Sequence, residues 1–131
     1  MAKEFKVIGK KVERVDAFER LAGEAKYASD IYLPGMLYVK ILRSPHPHAN
    51  IKNIDTTKAK KLPGVKAVLT YKDVPDWRGG MPAHLRFLDS KARFVGDAVA
   101  LVAAETEEVA LEALELIDVE YEPLQAVYDV E

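Results

Sequence analysis

A chain of 131 residues with 49% hydrophobic and 31% charged side chains has the composition of one folded domain, not of a disordered segment. Its net charge is −2, from 19 basic and 21 acidic residues, so there is no basic surplus to hold a nucleic-acid backbone. It has no cysteines, which excludes disulfides, thiolate zinc sites and iron–sulfur ligation together. The start, Met1 to Lys6, has no apolar stretch behind its lysines and is not read as a secretory signal. The longest apolar run, Ala98 to Ala104, is far shorter than the roughly 20 residues of a membrane-spanning helix. Neither a membrane nor a nucleic-acid partner is expected, and the lack of cysteine agrees with a cytoplasmic location.

Residues 1 to 22 show no settled hydrophobic period and are read as an arm, with Val7, Ile8, Val12 and Val15 extended against a neighbour. Gly23 to Asp30 reads as a turn or short strand, and Pro34-Gly35 is turn chemistry. From Leu37 to Leu42 the chain alternates, with Leu37, Val39 and Ile41 on one face of a predicted strand. Ser44-Pro45-His46-Pro47-His48 cannot be helical interior, because each proline lacks a donor and pushes its predecessor towards extended geometry. A strand resumes over Ala49 to Ile54. Asp55-Thr56-Thr57 then offers caps for a short helix near 56–62, ended by Pro63-Gly64. Val65 to Tyr71 reads as another strand.

Residues 72 to 92 form a long irregular stretch punctuated by Pro75, Gly79, Gly80 and Pro82, yet carrying Trp77, Met81, Leu85, Phe87 and Leu88. Such apolar content points to a surface that docks onto a partner. Phe94 to Ala104 is apolar on both faces, as an interior strand would be. Thr106 caps a longer helix near 106–117 that opens with Glu105, Glu107 and Glu108, the favourable sign at that end of the dipole. Val109, Ala110, Ala113, Leu114 and Ile117 share its core face; Glu108, Glu112, Glu115 and Asp118 face away, with Leu111 among them. Val119 and Tyr121 then alternate with Glu120 and Glu122 up to Pro123. Strands and helices mix without regular alternation, which favours an α+β fold.

The residues that carry chemistry are scattered. His46 and His48 would share a face on a strand, but no third ligand has suitable spacing, and His84 stands alone. Gly79-Gly80 and Gly96-Asp97 match neither phosphate-binding fingerprint; Gly96 reads as a bulge or a close backbone approach at a strand start. Ser44 lies near a histidine, but sequence places no general base on it. No residue is therefore assigned to catalysis, to cofactor binding or to a metal.

Two stretches carry a resemblance. One is Gly23-Glu24-Ala25-Lys26-Tyr27-Ala28-Ser29-Asp30, then Pro34-Gly35-Met36-Leu37, then Arg43-Ser44-Pro45-His46-Pro47-His48-Ala49-Asn50-Ile51. The other is Phe94-Val95-Gly96-Asp97-Ala98-Val99-Ala100, running through Thr106 to Val119-Glu120-Tyr121-Glu122-Pro123-Leu124. In order and spacing this resembles the start of the molybdenum-binding subunit of the xanthine dehydrogenase/aldehyde oxidase family. The resemblance implies an α/β-hammerhead domain over residues 23–131 behind the arm of residues 1–22. It also implies a parent enzyme that hydroxylates aldehydes or N-heterocycles with oxygen from water. That enzyme would use molybdopterin, with iron–sulfur clusters and often FAD elsewhere. The implied partners are the remainder of the molybdenum subunit and iron–sulfur and flavin subunits or domains. The family's pterin contacts and catalytic glutamate lie in later domains, so no site residue is carried over and the chain alone is expected to be inactive. Ending at a strand exit, Glu131 looks like a cut within a longer protein. The competing readings are a stand-alone binding or assembly module with the same fold and a small hydrolase using Ser44 and a histidine.

Overall fold

The structure is a computed structural model that describes residues 7–75 and 87–129. Trp77, Gly79, Gly80, Met81, Pro82, His84 and Leu85 lie outside the described residues. The chain divides into two compact units, Met1–Pro34 and Gly35–Glu131, described separately below.

The first unit is not one extended arm. Asp16 pairs with Arg14 and, one turn on, with Arg20 at 2.7 Å, and between them runs a short helix, α1 (Ala17–Leu21). Two amides, those of Glu24 and Ala25, donate to the Glu19 carbonyl and stop it. A single 3₁₀ turn follows over Ala28–Asp30, held by the Asp30 carboxylate accepting the Tyr27 amide at 2.9 Å. The Arg20 guanidinium lies 5.9 Å from the Tyr27 ring centroid and ties the two pieces together. No described residue of this unit is buried, so polar and cation–π contacts hold its local shape.

The second unit holds two antiparallel sheets among its described residues. In chain order its elements are β1 (Tyr38–Arg43), β2 (Ala49–Asp55), α2 (Thr57–Lys61), β3 (Val65–Thr70), β4 (Lys91–Ala92), β5 (Ala98–Ala104), α3 (Glu107–Glu115) and β6 (Asp118–Pro123). One sheet has the order β1-β5-β3 and the other β4-β2-β6. The strand–helix–strand run at the end of the chain thus feeds both: β5 is central in the first sheet, and β6 pairs with β2 in the second. This is the mixed α+β architecture expected from the sequence, with both helices where periodicity and capping place them.

α2 starts where the Asp55 carboxylate accepts the Thr57 amide at 2.9 Å. Hydrogen bonding from the Thr57 side chain, then that backbone bond and the neighbouring Lys58, hold the Asp55 carboxyl below its ordinary range. After Pro63, Gly64 turns the chain at φ +92°, and a Cβ there would sit 3.3 Å from Val109 Cγ1 on α3. Both the backbone angle and the close approach call for glycine. α3 begins as expected, with the Thr106 hydroxyl accepting the Val109 amide at 3.2 Å.

The core lies where α3 and α2 meet the first sheet. Ala59, Ala100, Ala104, Ala110 and Ala113 are fully buried, and their small size lets α3 lie close on β1 and β5. Val99 and Val102 are the largest fully buried side chains, and Ile51, Ile54 and Ile117 close the core from the second sheet's side. Leu114 and Val109 pack against this cluster half-buried, while Glu107, Glu108, Glu112 and Glu115 face solvent with Leu111.

Three local readings differ from the sequence. The apolar face of β1 is not the core face: Val39 is 57% exposed, whereas Leu42 on the other side packs into the core and Lys40 reaches Glu107 at the start of α3. The Lys40 ammonium finds a carboxylate on α3, so a lysine lies on the inward side and alternation alone misplaces the inside. β5 starts at Ala98 rather than Phe94, because the Asp97 carboxylate organises a turn before it. Leu88, read as part of a docking loop, is only 4% exposed.

Ile51→Ala should cost about 2–5 kcal/mol, since it removes a nearly fully buried side chain. Glu112→Ala, on the exposed face of α3, should stay within about 0.5 kcal/mol. Urea unfolding of the two variants checks this; similar losses for both would contradict the core described.

Candidate functional site

The Ser44–His48 and Phe94–Asp97 motifs meet where the two sheets join. β1 ends at Arg43, and the Ser44–His48 turn leads into β2; facing it is the Phe94–Asp97 turn between β4 and β5, with the end of β6 alongside. Two backbone bonds clamp these turns: the Ser44 amide donates to the Asp97 carbonyl at 2.8 Å, and the Gly96 amide donates to the Ser44 carbonyl at 2.8 Å. Arg43 Nη1 donates to the Gly96 carbonyl at 2.8 Å. Gly96 has φ +94°, a left-handed conformation that explains glycine here; nothing lies within 4 Å of a Cβ built on it, so the close approach expected from sequence is not the reason.

Asp97 completes the turn. Its carboxylate accepts the Arg93 amide at 2.9 Å and the Ala98 amide at 3.0 Å, leaving it no proton-transfer partner among these contacts. Sequence reading saw Asp97 only as a motif letter; its signal was an acid directly after a turn glycine and before an apolar strand.

Ser44 is buried, at 2% exposure, and its hydroxyl braces the turn. Oγ donates to the His46 carbonyl at 3.0 Å and accepts the His46 amide at 3.1 Å. Both contacts are to the backbone of His46, not to its ring, so the base-to-nucleophile geometry of a hydrolase is not formed by this pair. The His46 ring instead lies edge-on to Tyr121, with centroids 4.9 Å apart. His48 Nδ1 is 2.7 Å from the Gln125 carbonyl. The two histidines have separate structural partners, and no group of three His, Asp or Glu side chains suited to a metal occurs among the described residues.

Tyr121 links the two sheets at this point. Burial pushes its phenol up, partly offset by hydrogen bonding with Ser44. An open cavity of about 520 Å³ is lined by residues including Pro47, His48, Arg93, Phe94, Gln125 and Tyr128. The Arg93 cation there is engaged: its guanidinium meets Asp89 at 2.8 Å and the Lys91 carbonyl at 3.3 Å.

With this geometry in place, comparison with known proteins is decisive. Residues 22–125 match the family profile described as the a/b hammerhead domain of aldehyde oxidase and xanthine dehydrogenase. The chain belongs to that family. It is 50% identical over 117 residues to a probable xanthine dehydrogenase subunit from Bacillus subtilis, covering 87% of this chain and 16% of that protein. It is 41% identical over 134 residues to the nicotinate dehydrogenase large molybdopterin subunit of Eubacterium barkeri, covering all of this chain and 32% of that one. The quinoline 2-oxidoreductase structure from Pseudomonas putida 86 superimposes with a TM-score of 0.83 at 38% identity, over 95% of this chain and 17% of that chain. The hammerhead chain therefore spans a third or less of the length of these relatives.

A molybdopterin would need polar groups turned into a recess and left free to hold it. Among the described residues every buried side-chain nitrogen and oxygen already has a partner, and the open cavity's Arg93 and His48 are both engaged. No helix among the described residues is long and apolar enough to cross a membrane.

The pH dependence at Tyr121 follows from its raised pKa. The neutral phenol is the form the fold favours, so its contribution is complete below the ordinary value of 10.0 and is lost as pH rises through the higher folded value. Tyr121→Phe should therefore flatten the alkaline end of the stability–pH curve. Urea midpoints measured for both proteins on either side of that value check this; parallel curves would contradict it.

Proposed function

We propose that this chain is the N-terminal structural domain of a molybdopterin-dependent oxidoreductase that hydroxylates aldehydes or N-heterocycles with water as oxygen source. In this reading residues 1–22 are an arm and residues 23–131 the hammerhead domain, in line with a family match that begins at residue 22. The observation that carries it is the superposition of nearly the whole chain on about a sixth of a much longer oxidoreductase chain. The local geometry agrees in kind, since Ser44, His46, His48, Gly96 and Asp97 all serve the turns that join two sheets.

The chemistry would then belong to residues beyond this domain, with molybdopterin held there and electrons leaving through iron–sulfur and flavin partners. None of the domain's own residues is catalytic, cofactor-binding or metal-binding in this reading, and the assembled enzyme is cytoplasmic.

The intact gene product tests this. It should be several times longer than 131 residues, carry molybdenum, and place oxygen from isotopically labelled water into an aldehyde or N-heterocycle. The 131-residue chain purified alone should hold no stoichiometric molybdenum, iron or flavin and show no turnover. A gene product that ends near Glu131 and binds a partner without molybdenum would overturn the reading in favour of a stand-alone module.

A further inference from the structure

The sheet β1-β5-β3 has two unlike faces. One carries Leu42, Val68, Ala100, Val102 and Ala104 and is covered by α3 and the core. On the other, the register sets Val39 and Ala67 on either side of Ala103, and Ile41 and Leu69 on either side of Leu101. Residues directly opposite in an antiparallel pair share a face, so these six form one patch. None of them is charged. Val39 is 57% exposed and Leu69 41%, Ala67 is exposed, and Ile41, Leu101 and Ala103 are half-buried beside their strand neighbours. A strand that is apolar on both sides belongs between two covered faces, and among the described residues of this unit no element covers the second.

Two occupants can be weighed by size. Three strands spaced about 4.8 Å apart and about five residues long present roughly 250 Å². A second copy laid face to face would bury about 500 Å², well short of the roughly 1,200 Å² at which stable interfaces begin. A surface in the same polypeptide docks on less, because the tether holds it at high local concentration. The relatives supply such polypeptide: the chain covers only 16% of the Bacillus subtilis protein and 17% of the quinoline 2-oxidoreductase chain.

We propose that the outer face of β1-β5-β3 is the seat for the rest of a longer polypeptide, which docks there through an apolar and uncharged surface of its own. This rests on the reading under Proposed function. It is a docking surface separate from the one expected of the 72–92 stretch, and it lies on described residues.

Hydroxyl-radical footprinting of the 131-residue chain and of the intact gene product tests it. Val39 and Leu69 should be labelled in the short chain and lose that labelling in the intact product, down to the level of buried Val102. Leu111, exposed on α3, should be labelled equally in both. Leu69→Glu should leave the urea midpoint of the short chain unchanged and lower the thermal midpoint of the intact product. An intact product that is long and holds molybdenum, yet still labels at Val39 and Leu69, overturns the docking face and leaves the functional reading standing. A gene product no longer than this chain removes the occupant and overturns both. Protection already present in the monomeric short chain would assign the face to residues 1–34, and protection that grows with its concentration would assign it to a second copy; either overturns the proposal.

Discussion

Strand β5 is the constraint on which the second unit depends. It is hydrogen-bonded along both edges, to β1 and to β3, and its alanines at 100 and 104 leave α3 room to settle. The fully buried Ala110 and Ala113 on α3 answer them, so helix and sheet approach through small side chains, while Val99 and Val102 supply bulk. A larger residue at any of these alanines would lift the helix from the sheet, the kind of overpacking that closely packed interiors do not absorb. Gly64 belongs to the same constraint, since its missing Cβ leaves the space that Val109 occupies.

From β5 the order extends to the junction between the sheets. The Phe94–Asp97 turn exists because Asp97 offers both carboxylate oxygens to amides at the strand's entrance, and the Ser44 turn is clamped to it through two backbone bonds. Hydroxyl, carboxylate and imidazole groups that look reactive in sequence are thereby consumed in holding loops. The groups of this polar, histidine-bearing motif are paired with backbone and with an aromatic edge, and so fix the geometry of the turns that join the two sheets.

What was legible in the sequence was what local physics decides. The 3.6-residue period of α3 and its Thr106 cap could be read directly, because one face of that helix is buried and the other is not. The short α2 and the runs of β2 and β3 were marked by prolines, a capping acid and β-branched residues. Less was legible where two faces of an element are both apolar. In β1 the alternation located Val39 and Ile41 on one side but not which side meets α3; that is set by contacts far off in sequence, with Leu42 packing into the core and Lys40 pairing with Glu107, 67 residues away. The division of β5 and β6 between two sheets is likewise set by pairing at long range. α1 was missed because its order rests on two arginines flanking Asp16 rather than on a hydrophobic stripe. As for the candidate site, the motif positions were visible, while their roles depend on hydrogen bonds that no spacing encodes.

Native-state hydrogen exchange on the 131-residue chain tests the central place of β5 most directly. The amides of Ala100 to Ala104 should be the slowest in the chain and exchange only through global unfolding, whereas those of Ala17–Leu21 should exchange through local opening. β5 amides that open locally, as readily as those of α1, would contradict the account.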